Sequence, residues 1–157
     1  MRYWYGMFSL VNARRYCILA VLALAGGAVI YPLFRGADLW VWQFIPRPHW
    51  WEMLRIPFDS TNAVVSALVY SGPDALWLLS GIFLLRALFF HERRIQSLYI
   101  NIFVCIAIGI EAGQYFGIVP GTYDLIDLLF MSGVALAEGI IYTFIVTKRR
   151  KRNETKS

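Results

Sequence analysis

ALWLLSGIFLLRALFF, residues 75–90, holds only two strongly polar side chains, Ser80 and Arg86, and Pro73-Asp74 stands directly before it. Proline at the first helical position and an acid in the first turn are good helix-starting signals. The stretch therefore reads as an apolar helix over residues 74–90, close to the roughly 17–25 residues that a bilayer crossing requires. Similar blocks lie on both sides. HERR follows, then an apolar run over 98–118, the tight connection VPGTYD, a further run over 124–146, and the basic closing segment TKRRKRNETKS over 147–157. Toward the N-terminus, YCILAVLALAGGAVIYPLF makes another such block over 16–34.

The 157 residues are 59% hydrophobic, against about 45–50% in a soluble domain. With that excess gathered into blocks, the fold class is all-α: a single polytopic membrane bundle of four transmembrane helices. The first block exceeds the apolar length of a cleavable signal peptide, so it reads as a retained span. Ala25, Gly26, Gly27 and Ala28 form a patch of small residues where another helix packs closely. Between the first and second spans, residues 35–72 are mixed in character. Trp40, Trp42, Trp50 and Trp51 alternate there with charges and prolines, which places the segment along the outer membrane interface. Asp59 or Ser60 is the expected cap of a short, non-spanning helix over 63–70.

Basic residues set the orientation. With both chain ends in the cytoplasm, Arg2, Arg14, Arg15, Arg86, Arg93, Arg94 and the tail lie inside, leaving Arg35, Arg47 and Arg55 outside. The net charge of +5 thus reads as topology and contact with membrane lipids rather than a nucleic-acid footprint. Cys17 and Cys105 lie in or at the edge of apolar blocks, and neither they nor His49 and His91 show metal-ligand spacing. No Gly-rich phosphate loop, nucleophile elbow or HExxH pattern occurs, so no cofactor or metal is implied.

IEAGQYFGIVPGTYDLIDLLF, residues 110–130, carries the chemistry. Glu111 and Gln114 are three apart and share a helix face, and Asp124 and Asp127 repeat that spacing at the start of the next span. The short loop makes the two helices antiparallel neighbours, so both pairs are expected to converge on one outer rim, with Asp74 as a fifth member. Carboxylates at that depth must be hydrated, paired or bound. For Asp124, capping the helix N-terminus is an equally good account. Deeper in the fourth span, Glu138 follows Asp127 by eleven residues, nearly three turns. The stripe Asp127, Met131, Val134 and Glu138 is thus expected to face the bundle. Asn101 is its expected hydrogen-bond partner, an internal contact between helices, with an ion relay as the alternative.

On Glu111, Gln114, Asp124 and Asp127 the chain resembles the VanZ-like family of small bacterial membrane proteins. That family has a Glu-x-x-Gln pair late in one span and an Arg-x-x-Asp-x-x-Asp pattern opening the next. The family arginine falls at Gly121 and its asparagine near Met131, so neither is kept. Gly133 and Gly139 match its closing glycines only loosely, and Pro73-Asp74 falls roughly where such proteins place an acid before a span. The resemblance covers about thirty residues and implies a multi-pass protein of the bacterial cytoplasmic membrane. The expected function is binding of a lipid headgroup or envelope precursor in the outer acidic pocket. The alternatives are a scaffold docking a membrane-protein partner and a small transporter or channel subunit, which would need a homo-oligomer.

Overall fold

The computed structural model describes residues 2–34, 53–54, 56, 61–120 and 122–154, and the side chains of these except at 2–12, 31–32 and 149–154. Its helices are α1 (Arg2–Phe34), α2 (Ala63–Leu88), α3 (Arg93–Tyr115) and α4 (Leu125–Glu154). Each contains a stretch long and apolar enough to cross a membrane, and among the described residues there is no strand. The polarity of the fold is inverted relative to a water-soluble domain. Leu22, Leu129, Leu136, Ile140 and Phe144 are more than half exposed, whereas Ser71, Ser80, Arg86, Gln96 and Glu138 are buried. Water would penalise that arrangement on both counts, and a hydrocarbon solvent favours it. The protein is a four-helix membrane bundle. The Trp-rich segment, with His49 and the Asp59 and Ser60 caps, lies outside the described residues.

The second span departs from expectation. The short helix expected over 63–70 is instead the start of α2, which is continuous from Ala63 to Leu88 with Pro73 inside it. Its cap is Asn62, whose Oδ1 accepts from the Val64 and Val65 amides at 3.0 and 3.4 Å. An interior proline costs about 3 kcal/mol. Breaking the helix at residue 73 would instead leave two sets of unpaired terminal N–H and C=O groups at membrane depth, each costing several kcal/mol. The other helices also overrun their expected limits on the basic side. α1 begins at Arg2, α3 at Arg93 rather than near 98, and α4 continues through the basic segment to Glu154. Lysine and arginine are good helix formers and complement the dipole at a helix C-terminus, so the closing segment has no reason to uncoil at residue 147. α3 ends at Tyr115, short of the expected 118, because Gly117 takes a left-handed φ of 67°. The Ile118 amide then bonds back to the Gly113 carbonyl at 2.8 Å, closing the helix end.

Among the described helices α2 is the hub, in contact with α1, α3 and α4, while α1 packs on α2 alone. The apolar centre consists of Leu78 and Ile82 from α2, Ile100 from α3 and Met131 from α4. α1 packs outside it through Ala20, Ala23 and Gly27, and the Ser80 hydroxyl donates to the Ala20 carbonyl at 2.9 Å. The small-residue patch is where α1 and α2 come closest. A Cβ on Gly27 would lie 2.5 Å from Trp77 Nε1 and 3.1 Å from the Pro73 carbonyl oxygen. The Trp77 ring borders lipid and can swing, but the Pro73 carbonyl is backbone and cannot. Gly27→Leu is therefore expected to destabilise the bundle by about 1–3 kcal/mol, the usual cost of overpacking. Thermal unfolding in detergent would measure it, and an unchanged transition would mean that the α1–α2 contact is loose.

Candidate functional site

Two polar clusters occupy opposite ends of the bundle. The first gathers at the α3–α4 connection. Asp124 ends that connection, and its Oδ1 accepts from the Ile126 amide at 2.8 Å, so it does cap α4. Its own amide points the other way and donates to the Glu111 carboxylate. Asp127, in the first turn of α4, and Asp74, on α2, are the other charges within electrostatic reach of Glu111. Three carboxylates thus lie within electrostatic reach of Glu111 at one end of the bundle. Glu111 Oε2 and Asp127 Oδ1 are shut off from solvent without a hydrogen-bond partner among the described residues. Such atoms are rare in folded proteins, and in a like-charged setting each calls for a donor from outside. Gln114 is half-buried nearby, and its side chain makes no hydrogen bond among the described residues. No three His, Cys, Asp or Glu side chains among the described residues form a ready metal-binding group.

The second cluster was only half expected. Glu138 is buried on α4, but its partner is not Asn101. Both of its carboxylate oxygens accept from Arg86 of α2, one from Nε and the other from Nη2 at 2.6 Å. Arg86, counted from sequence on the cytoplasmic side, is 5% exposed and Glu138 is 9% exposed. A guanidinium offers a charged, two-pronged donor that a neutral amide cannot match, so Arg86 outcompetes Asn101, which lies exposed on α3. With both oxygens engaged, Glu138 acts as a link between α2 and α4, the internal contact foreseen for it.

Gln96, in the first turn of α3, completes the cluster. Its Oε1 accepts from Arg86 Nη1 at 3.1 Å and from the Tyr142 hydroxyl at 2.9 Å. Its Nε2 donates to the carbonyls of Arg86 at 3.0 Å and Phe89 at 3.4 Å. A side-chain amide has two lone pairs and two hydrogens, and all four are used here. Two of them satisfy carbonyls in the last turn of α2, which have no partner within the helix. The Arg86 guanidinium carbon lies 3.4 Å from the centroid of the Tyr142 ring, a cation–π contact. Sequence reasoning missed Arg86, Gln96 and Tyr142 as a unit. One signal was present: an arginine followed by ALFF and a lone glutamate in an apolar helix are two charges that lipid forces to find each other.

A cleft of about 380 Å³ opens beside this cluster between α3 and α4, and Asn101, Cys105, Arg86 and Glu138 line it. A second, almost wholly apolar groove of about 340 Å³ lies between α1 and α4, with Tyr142 and Glu138 at its edge. No protein-family model, curated protein or solved structure matches the chain.

Proposed function

We propose that this multi-pass protein is a VanZ-like component of the bacterial cytoplasmic membrane. In this reading its Glu111–Asp127 pocket binds the amine-bearing headgroup of a lipid or envelope precursor on the outer face. The observation that carries it is the pair of enclosed, unpartnered oxygens, Glu111 Oε2 and Asp127 Oδ1, with the charges of Asp74 and Asp124 close by. A primary ammonium supplies what that site lacks. It brings a positive charge to offset the mutual repulsion of the carboxylates and three N–H donors to fill their lone pairs. The outer placement follows from the bias of lysine and arginine toward the opposite end of the bundle. The VanZ-like assignment rests on Glu111, Gln114, Asp124 and Asp127, and two of these, Asp124 and Asp127, lie within electrostatic reach of Glu111.

Native mass spectrometry of protein extracted from mixed bilayers of phosphatidylethanolamine and phosphatidylglycerol tests the reading. The wild-type chain is expected to retain phosphatidylethanolamine selectively. Glu111→Gln combined with Asp127→Asn should lose that selectivity while melting at the same temperature or higher, because two repelling charges have gone. Unchanged lipid selectivity would remove the proposal. A lower melting temperature with selectivity intact would assign these acids to structure alone.

A further inference from the structure

The cleft at the other end of the bundle has a different chemistry. Arg93, Ser97 and Asn101 line it from α3 at successive intervals of four residues. They form one polar stripe running from the helix start toward the membrane centre, about 12 Å long at 1.5 Å per residue. All three side chains are exposed and make no hydrogen bond or ion pair among the described residues. Below them the wall is apolar, made by Ile82, Ile100 and Val104. The charges do not cancel. Arg86 and Glu138 neutralise each other, and Arg93 leaves the cleft with one net positive charge.

Arg93 is also the first residue of α3, and the preceding Glu92 makes no side-chain cap bond. The free amides of a 23-residue helix, with the positive end of its dipole, therefore lie at the mouth of the cleft. A polar stripe of this depth is costly if only acyl chains cover it.

We infer that the α3–α4 cleft is a binding site for an anionic phosphate headgroup from the leaflet on the basic side. The phosphate sits at Arg93 and the α3 N-terminus. The glycerol and ester oxygens fall against Ser97 and Asn101, and the chains leave along the apolar wall. The four-residue step from Arg93 to Ser97, about 6 Å, matches the step from phosphate to ester linkage, and the single uncancelled charge matches a monoanionic lipid. This site is independent of the acidic pocket at the opposite end.

Cys105 lines the same cleft and is a free, exposed thiol, so it reports on occupancy. In a Cys17→Ser background, alkylation of Cys105 by N-ethylmaleimide is compared in nanodiscs of phosphatidylglycerol and of phosphatidylcholine. Protection in phosphatidylglycerol is expected to be about fivefold, the factor for one basic residue meeting an anionic headgroup. Arg93→Ala should abolish it and Arg93→Lys retain most of it. Inorganic phosphate added to phosphatidylcholine discs separates the sources. Protection by phosphate alone would keep the anion site and assign it a soluble ligand. Equal alkylation rates in the two lipids, or protection that survives Arg93→Ala, would overturn the site. Efficient Cys105–Cys105 crosslinking by a short bismaleimide would also overturn it, because a second copy of the chain would then fill the cleft.

Discussion

Replacing Glu138 with leucine is expected to lower the stability of the bundle by about 3–5 kcal/mol, the range for removing one partner of a buried ion pair. The reason is what remains. Arg86 cannot lose its proton, is enclosed by α2, α3 and α4, and is bonded to no second carboxylate among the described residues. Arg86→Leu should cost a similar amount by stranding Glu138. The double variant Arg86→Leu, Glu138→Leu should recover most of the loss, since apolar side chains can replace a buried pair at little net cost. Arg86→Lys should behave like a loss, because an ammonium cannot span both carboxylate oxygens or lie flat on Tyr142. Unfolding by SDS titration from mild detergent gives all four values. A double variant no more stable than the singles would show that something other than a stranded charge weakens the bundle.

Gln96→Leu should be the next most damaging change, at about 3 kcal/mol. It removes four hydrogen bonds at once, and each buried group left unsatisfied costs about 1–3 kcal/mol. The effect falls short of four full penalties because the Tyr142 hydroxyl borders the cleft and can find another partner. Arg86 keeps Glu138 in this variant, so the loss should concentrate at the α2–α3 turn. Hydrogen exchange distinguishes a local effect from a global one. The Phe89 amide, bonded to the Leu85 carbonyl at 3.0 Å, should exchange faster, while amides around Leu78 and Ile82 change much less. Gln96→Glu retains the two acceptor functions and loses the two donors, so it too should loosen this turn. Uniformly faster exchange across α2 would mean that Gln96 supports the whole helix rather than its end.

The proximity of Asp124 and Asp127 to Glu111 depends on local geometry. Residues three apart share a helix face, and a short loop forces two helices side by side. The same reasoning foresaw that the Gly27 patch would admit a close neighbour, although not that Trp77 and Pro73 would be what it admits. Pro73 shows where local reasoning stops. As a sequence signal it marks a helix start, and only the cost of opening a helix within lipid, together with the packing of α1 on the same turn, carries α2 through it.

The linear chain by itself determined the solvent and the helical class. Both follow from apolar length and helix periodicity, which are properties of neighbouring residues. Only the tertiary structure decided that Glu138 belongs to Arg86 rather than Asn101, and that Gln96 and Tyr142 complete their cluster. Those pairings join residues up to 52 positions apart. They depend on the rotation and depth of α2 against α4, which many distant packing contacts set together and no local pattern encodes.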